Sequence, residues 1–288
     1  METRWSDPAV REAVRRALDG AEDRTPLSEV EVCEEGTASL VLLTDRTAVR
    51  VGRDQARGAE LERTQGLVDS LPDLPFDVPR SLGPLVRSEQ VTAVPTRRIG
   101  GEPQPPGTGD PGPLRELLEA VHSLDPGRDS PLLAARRAFM GGEEWEAVLR
   151  DRVVPLLPRE VMGEAVRRID AVAGLPPTVL RFGHGDLAGA NVLWEEGRVS
   201  GVLDWDLATY EDPAEDLASL AWWHGWGLID ALAPEREPGR AEACRDLFPL
   251  QLIAFQVLRD RGDEQLARTV ARVASALAEH PTAPERRR

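Results

Sequence analysis

The stretch that best indicates both fold and chemistry is Arg181-Phe-Gly-His-Gly-Asp-Leu-Ala-Gly-Ala-Asn-Val-Leu-Trp194, followed shortly by Val199-Ser-Gly-Val-Leu-Asp-Trp-Asp206. It places Asp186 and Asn191 five residues apart on one predicted loop, and Asp204 follows the next apolar run. A phosphoryl-transfer enzyme needs one carboxylate near the attacking hydroxyl group, together with an amide and a carboxylate that hold Mg²⁺ on the nucleotide phosphates. The spacing therefore predicts phosphoryl transfer.

The composition is that of an ordinary globular protein with a substantial core. The chain has 288 residues, of which 41% are hydrophobic and 30% charged. Its net charge of -15 argues against a nucleic-acid partner, because phosphate backbones require basic patches. An acidic surface attracts cationic substrates, and it also keeps a protein soluble, so both interpretations of the charge stay open.

Three features bear on the location of the protein. Cys33 and Cys244 are far apart and lack metal-ligand spacing, which favours a reducing compartment. The first seven residues are charged and contain no apolar signal segment. The longest apolar stretch, residues 217–232, is too short and too polar to span a membrane. We therefore expect a cytoplasmic protein without a membrane partner, either a monomer or a homodimer.

The first part of the chain is predicted to be rich in antiparallel strands, because short apolar runs are separated there by polar or Gly-containing turns. We predict helices over 7–20 and 55–70 and strands over 30–33, 39–43, 47–51, 78–82 and 90–94. Asp7 and Pro8 are a typical cap and first turn for the first helix. This pattern predicts a small β-rich N-terminal lobe, residues 1–95.

Helical patterns dominate the rest of the chain. Residues 100–113 are too rich in Pro and Gly to hold a regular element. We predict helices over 114–124, 143–157, 159–172, 217–233, 240–258 and 263–279, and a hairpin formed by 191–194 and 200–203. The prediction is a larger, mainly helical C-terminal lobe, residues 96–288, so that the whole chain has an α+β fold.

Three motifs carry a resemblance to a known family: His184-Gly-Asp-x-x-x-x-Asn191, Val202-Leu-Asp-Trp-Asp206 and Asp212-Pro-Ala-Glu-Asp-Leu217. They resemble the aminoglycoside phosphotransferases, small-molecule relatives of the protein kinases, and look closest to kinases that inactivate viomycin and capreomycin. The resemblance implies a two-lobed protein-kinase-like fold whose N-terminal lobe binds nucleotide and whose C-terminal lobe binds substrate. It also implies ATP or GTP with Mg²⁺ as cofactors, and a hydroxyl group of a small cationic antibiotic as the phosphate acceptor.

Two other functions stay open. One is a metabolic kinase of an amino alcohol, a sugar or homoserine. The other is a regulatory pseudokinase that binds nucleotide without turnover. The motif residues argue against the pseudokinase, and its support is the absence of the usual strand lysine.

The resemblance assigns roles to the motif residues. Asp186 would be catalytic, orienting the substrate hydroxyl group or accepting its proton, and Asn191 and Asp204 would ligate Mg²⁺. Asp206 could touch a second metal ion or the substrate, or hydrogen-bond to the backbone. A structural role is favoured for the remaining motif residues, which are His184, Asp212 and Asp216. Asp212 is expected to be a helix N-cap.

The nucleotide end departs from the kinase pattern, because the chain contains no lysine and all 35 basic residues are arginine. Arg50, in Ala48-Val-Arg-Val51, stands where a kinase has its phosphate-binding lysine, and its planar fork suits phosphate oxygens. The alternative is an arginine that points outward from an exposed strand. Glu60 on the following helix is the predicted partner of Arg50, although Glu62 competes for that role.

Weaker signals complete the predicted site. Gly36 and Ser39 belong to a turn that could cover the nucleotide phosphates, and Val94 and Thr96 to a hinge whose backbone would pair with the base. Trp223, one of three tryptophans within residues 222–226, could bind a cationic substrate together with Asp206 and Glu211. Core packing and solvated helix faces are the alternative explanations.

Overall fold

The structure of this chain, a computed structural model, describes residues 5, 7–33, 40–52, 54–88, 91–235, 237, 239–259 and 262–279. Its α-helices are α1 (Pro8–Gly20), α2 (Gln55–Ser70), α3 (Pro111–His122), α4 (Trp145–Ala147), α5 (Arg159–Ala173), α6 (Pro213–His224), α7 (Ile229–Leu232), α8 (Arg240–Leu258) and α9 (Asp263–Glu279). Its strands are β1 (Glu31–Cys33), β2 (Leu40–Leu43), β3 (Thr47–Gly52), β4 (Val86–Arg87), β5 (Thr92–Arg97), β6 (Glu102–Pro103), β7 (Arg181–Gly183), β8 (Val192–Glu195), β9 (Arg198–Val202) and β10 (Thr209–Glu211).

The chain forms two compact units, each assembled from three segments. Unit 1 comprises Met1–Pro106, Glu119–Leu133 and Ala188–Asp206. Unit 2 comprises Gly107–Leu118, Ala134–Leu187 and Leu207–Arg288. The lobe boundary at residues 95 and 96 stays a prediction.

Unit 1 contains a five-stranded antiparallel sheet in the order β1-β2-β3-β5-β4. Helix α1 covers one face of this sheet, and the buried side chains of Val14, Leu42 and Val49 belong to the shared core. The predicted cap is confirmed, since the Asp7 carboxylate accepts a hydrogen bond from the Ala9 amide at 2.8 Å. Because side chains alternate along a strand, the residues between the buried valines of β3 point to the opposite face.

The predicted strand over 78–82 is wrong. These residues make a single bridge, between Ser81 and Thr96, and the edge strand that pairs with β5 is β4 instead. Pro79 lacks the amide hydrogen that a central strand needs. The chain turns there, and Arg80 donates to the carbonyl oxygens of Val68 and Leu71 at the end of α2.

A second sheet in unit 1 has the order β6-β8-β9. The predicted hairpin is confirmed as β8 and β9. The prediction of no regular element in residues 100–113 is wrong at two points, because β6 pairs with β8 and helix α3 begins at Pro111. Asp77 ties the hairpin to the chain before β4, since its carbonyl oxygen accepts a hydrogen bond from the Val202 amide at 3.0 Å.

Unit 2 has its core between α5, α8, α9 and a π-helical segment, Val148–Val153. The single helix predicted over 143–157 is wrong, because 3-10 turns, α4 and the π-helical segment replace it and Pro155 cannot continue a helix. The helix predicted over 217–233 is divided into α6 and α7 by Gly225, whose φ is 118°. In the part of the chain that the structure describes, no helix has the length and apolar character needed to cross a membrane.

Candidate active site

The loop that carries Asp186 is fixed from below by one carboxylate. β7 pairs with β10 and leads directly into this loop. The Asp216 carboxylate accepts hydrogen bonds from the His184 amide at 2.9 Å and from the Gly185 amide at 3.0 Å. The Asp186 amide donates to Nδ1 of the fully buried His184 at 3.2 Å. These bonds stabilise the backbone of the loop, and Asp186 remains partly accessible.

Helix α6 places Asp216 under that loop. Its N-cap is Asp212, as predicted, and the carboxylate accepts from the Ala214 amide at 3.0 Å. The same carboxylate forms a buried ion pair with Arg240, which also donates to the Pro176 carbonyl oxygen at 2.5 Å. The helix start is thus held by charge-assisted bonds, which are stronger than neutral ones.

Glu211 lies in the interior of unit 2, with only 2% of its surface exposed. Its Oε1 is 2.8 Å from where a Cβ would stand on Gly183, so a larger residue at that position would have to displace the Glu211 side chain. Burial, together with the charges of Glu215 and Asp216, raises the pKa of the Glu211 carboxyl well above its ordinary value. This position disagrees with the prediction that Glu211 contacts a substrate, because the side chain has almost no accessible surface.

The predicted metal ligands lie next to each other in unit 1. Asn191 ends a 3-10 turn, Gly189–Asn191, and its carbonyl oxygen accepts a hydrogen bond from the Leu203 amide at 2.8 Å. This bond joins the start of β8 to the end of β9, so Asp204 follows immediately. Asp204 has a φ of 59°, a left-handed conformation that is uncommon for residues other than glycine, although aspartate and asparagine adopt it more often than most. Such strain is often found where a side chain must be aimed.

A buried tryptophan separates the two carboxylates that follow β9. Trp205 is fully buried, and its Nε1 donates to the Val202 carbonyl oxygen at 3.0 Å. Asp204 and Asp206 flank this anchor in sequence, and both side chains reach the same partner. Nη2 of Arg50 donates to Asp206 Oδ2 at 2.8 Å and to Asp204 Oδ1 at 3.2 Å.

Arg50 is therefore not an outward arginine on an exposed strand, since only 16% of its side chain is exposed. Burial acts to lower the pKa of Arg50, but the charges of Asp206 and Asp204 more than offset it, and the pKa lies above its usual value. Burial likewise acts to raise the pKa of Asp206, and the Arg50 charge and hydrogen bond overcome that effect and lower it. Both groups are charged.

The structure gives Arg50 a different partner from the predicted one. Glu60 accepts a hydrogen bond from Arg57 at 2.6 Å and is 46% exposed, while Glu62 pairs with Arg87 near the surface. The carboxylates on Arg50 come instead from the turn after β9. The pairing of Arg50 with an acidic residue of α2 is thus corrected.

Arg63, which sequence reasoning missed, is the α2 residue that reaches this turn. Its Nη2 donates to the Asp206 carbonyl oxygen at 2.6 Å, and its Nη1 to the Leu132 carbonyl oxygen at 2.8 Å. Burial lowers the pKa of Arg63, and the Asp206 charge opposes that effect. The sequence signal is weak: Arg63 stands four residues before the buried Leu67, on the inward stripe of the helix, where an arginine is not expected.

The remaining predicted nucleotide residues are placed as follows. Val94 and Thr96 are buried inside β5, and their backbone pairs with β3 at Arg50 and Ala48. Their backbone groups are thus largely used within the sheet, which argues against a hinge at these two positions. Gly36 and Ser39 lie outside the described residues.

The three tryptophans do not share one helix. Trp222 is 57% exposed and packs edge-on against Phe248 at 6.0 Å between ring centroids. Trp223 is half-buried, and its carbonyl oxygen accepts from the Gly107 amide at 2.8 Å. Trp226 lies in the following 3-10 turn under the guanidinium of Arg245. A substrate contact by Trp223 stays a prediction.

The oxygen donors after β8 and β9 fit a magnesium ion. Mg²⁺ takes few protein ligands, all through oxygen, and Asn191 and Asp204 supply an amide and a carboxylate. Within the described ranges, no cluster of three or more His, Cys, Asp or Glu side chains forms a closed metal cage. The donor set thus suits an ion that is also held by nucleotide phosphates.

Comparison with solved structures identifies the class of fold. Wild-type aminoglycoside 2'-phosphotransferase-IIIa, solved as its GDP complex, matches 95% of this chain and 99% of its own, with a TM-score of 0.72 and 18% sequence identity. The chain has the kinase-like α+β fold of the aminoglycoside phosphotransferases, as predicted. At this identity the likeness establishes the fold alone.

Sequence comparison gives matches to related phosphotransferases over part of the chain. Residues 112–248 match the family model described as the phosphotransferase enzyme family. Viomycin phosphotransferase of Streptomyces vinaceus is 38% identical over 166 residues, which are 53% of this chain and 58% of that protein. Hygromycin-B 4-O-kinase of Escherichia coli is 28% identical over 82 residues, 28% of this chain and 23% of that protein. The chain thus matches just over half the length of the first relative and under a quarter of the second. The resemblance to the aminoglycoside phosphotransferase family is confirmed.

Proposed function

We propose that this chain is an ATP- and Mg²⁺-dependent phosphotransferase that acts on a hydroxyl group of a small cationic antibiotic, of the aminoglycoside or tuberactinomycin type, and thereby confers resistance. The observation that carries the proposal is the loop of Asp186. Its two preceding amides are both bound by Asp216, and a partly accessible carboxylate follows them. Such a rigid, accessible carboxylate suits the orientation of an attacking hydroxyl group.

In the proposed reaction, Asp186 aligns the substrate hydroxyl group and accepts its proton. The hydroxyl oxygen forms a bond to the γ-phosphorus as the bond to the β,γ-bridging oxygen breaks, and ADP leaves with that oxygen. The transition state is loose, so alignment contributes more than the basicity of Asp186. The product is a phosphate ester of the acceptor.

The phosphate end of the reaction is assigned to unit 1. Arg50 would bind phosphate oxygens through its guanidinium fork, as a permanently charged substitute for a lysine. Asn191 and Asp204 would hold Mg²⁺, which supplies neutralisation of the charge on the phosphates when bound. The hydrogen bond from the Leu203 amide to the Asn191 carbonyl oxygen, which places Asp204 beside Asn191, supports this assignment.

The choice of acceptor rests on two supports. The relatives of the chain are a viomycin phosphotransferase and a hygromycin-B kinase, both named for basic antibiotics. The net charge of -15 favours a cationic acceptor by electrostatic attraction. The GDP complex of the structural relative leaves GTP open beside ATP as donor. A cytoplasmic location, where both nucleotides are found, is part of the proposal.

The test is release of ADP by the purified protein with Mg-ATP, first without acceptor and then with single acceptors. The panel should contain viomycin, capreomycin, hygromycin B, kanamycin, a macrolide, choline and homoserine. We expect a basic antibiotic to stimulate ADP release and to gain the mass of one phosphate group.

Three results would contradict the proposal in different ways. Stimulation by choline or homoserine alone would indicate a metabolic kinase. Binding of Mg-ATP with no stimulation by any acceptor would favour a regulatory pseudokinase. Unchanged turnover after Asp186→Asn would remove the catalytic assignment of Asp186.

A further inference from the structure

We infer that Asp206 is the residue that positions Arg50 for the nucleotide phosphates, and that Arg63 in turn positions Asp206. The inference rests on the proposed function, because it concerns how Arg50 is presented to a nucleotide. It gives both residues a positioning role within unit 1.

The first step is the pairing between Asp206 and Arg50. One nitrogen, Nη2 of Arg50, donates to Asp206 at 2.8 Å and to Asp204 at 3.2 Å. The Asp206 side chain is 24% exposed, against 45% for Asp204. A shorter and more buried charge-assisted bond is the stronger one. Asp206 therefore determines where the guanidinium of Arg50 lies, and Asp204 keeps oxygen capacity for Mg²⁺.

The second step is the sign of the charge on α2. A protein kinase uses an acidic side chain of the corresponding helix to hold its lysine. Here the inward charged residue of α2 is Arg63, which can only donate hydrogen bonds. It cannot pair with Arg50, but its two nitrogens can hold carbonyl oxygens, and they bind those of Asp206 and Leu132.

These two steps form one chain of contacts. Arg63 holds the backbone of the turn Trp205–Leu207, and the carboxylate of Asp206 on that turn holds Arg50. The acidic partner of Arg50 thus lies on the turn after β9, beside the proposed metal ligands, and not on α2, where a protein kinase has it. We expect the loss of either Arg63 or Asp206 to release Arg50 in the same way.

The experiment measures ADP binding by calorimetry, in excess Mg²⁺ and in EDTA, for wild type and six variants, two of which are the double variant Asp206→Asn/Arg63→Met and Arg63→Lys. Asp206→Asn and Arg63→Met test the proposal, and Glu60→Gln tests the kinase-like alternative. Arg57→Met is the matched control, because Arg57 is an arginine of the same helix whose ion pair is near the surface. Melting temperatures and far-ultraviolet circular dichroism check that each variant is folded.

We expect Asp206→Asn and Arg63→Met to weaken ADP binding by roughly tenfold, the effect of one charge-assisted hydrogen bond. The loss of ADP affinity should be equally large in EDTA, because the substitutions act through Arg50 and not through a metal ion. The double variant should lose less than the sum of the single losses, because both residues act through one contact chain. Arg63→Lys should restore part of the affinity, since an ammonium can hold one of the two carbonyl oxygens. Glu60→Gln and Arg57→Met should bind ADP as wild type does.

Other outcomes overturn the inference, the proposed function or both. A loss in Asp206→Asn that disappears in EDTA would make Asp206 a metal ligand instead. A tenfold loss of ADP affinity in Glu60→Gln would show that the acidic partner of Arg50 lies on α2. Normal ADP binding with these variant effects, but no phosphate transfer to any acceptor, would contradict the proposed function and leave the positioning roles intact. No ADP binding by the folded wild-type chain would contradict both.

Discussion

Asp186 is the single residue on which the proposed chemistry depends most directly. Its neighbours hold it through the backbone, so replacement of the carboxylate should leave the loop in place. We expect Asp186→Asn to lower kcat by about 10²–10⁴-fold, the usual contribution of a positioned general base. The affinity for Mg-ADP should not change. Steady-state kinetics and calorimetry on the same preparation measure both quantities, and weakened nucleotide binding would show that the variant disturbs more than the carboxylate.

Glu211 gives a prediction about pH. Its pKa is raised from the ordinary 4.5 by burial and by Glu215 and Asp216, against the opposing charges of Arg136 and Arg137. The folded chain therefore favours the protonated acid more than the unfolded chain does. Stability from this group is complete below the unfolded pKa and is lost as the pH rises toward the folded pKa.

We expect Glu211→Gln, which is neutral at every pH, to be more stable than wild type at pH 8. The difference should shrink as the pH falls to about 4.5, where the ordinary carboxyl group becomes protonated. Denaturant unfolding at several pH values measures this difference in the free energy of unfolding. A constant difference between variant and wild type across this range would show that Glu211 does not titrate between the two states.

Residues also mark the limit of prediction from sequence. Asp186, Asn191 and Asp204 could be assigned as candidates because their roles follow a fixed spacing along the chain. Arg63 and the partner of Arg50 could not, because they depend on contacts between residues that are 143 and 156 positions apart. The substrate contact predicted for Glu211 was wrong for a similar reason, since alternation in a three-residue strand does not reveal which face is buried.

At the scale of elements, α6 holds the loop of the candidate catalytic residue in the fold of unit 2. Its N-cap holds the helix start, and Asp216 one turn later binds the two amides before Asp186. The helix and the loop should therefore lose order together if this carboxylate is removed.

We expect Asp216→Ala to lower the free energy of unfolding by about 2–4 kcal/mol, because one buried and one partly buried amide lose a charged acceptor. It should also lower kcat far more than it weakens nucleotide binding. Asp7→Ala is a control, since it removes the cap of α1 at a cost of about 1 kcal/mol without touching the loop. Equal kcat values for Asp216→Ala and the control would contradict the anchoring role.

Elements with local sequence signals were predicted well. Those that depend on long-range strand pairing or on an unusual backbone conformation were not. Helix α1 follows from its cap, its first-turn proline and its apolar stripe. β6 was missed, because two residues in a Pro-rich loop carry no strand pattern and become a strand only by pairing with β8. The break between α6 and α7 depends on the positive φ of Gly225, which composition alone does not indicate.

At the scale of the whole molecule, the relevant property is net charge. A charge of -15 produces a long-range field that would speed the arrival of the proposed cationic acceptor and is screened by salt. We expect kcat/KM for the basic antibiotic to fall several-fold between about 0.05 and 0.3 M KCl, with little change in kcat. The value for an uncharged acceptor should not fall. A parallel decrease for both acceptors would mean that salt acts on the enzyme and not on the encounter.

The arginine at position 50 also decides how this protein responds to covalent reagents. A guanidinium stays protonated under all conditions in which proteins fold, so it is not a nucleophile as a lysine amine can be. Nucleotide analogues that carry an acyl or aldehyde group label kinases through such an amine. They would find no target at Arg50, and amine acetylation could not switch this site off. If Arg50 binds the nucleotide as proposed, amine-directed labelling would therefore find no target there, whereas a dicarbonyl reagent selective for arginine should react with Arg50 more slowly when nucleotide is bound.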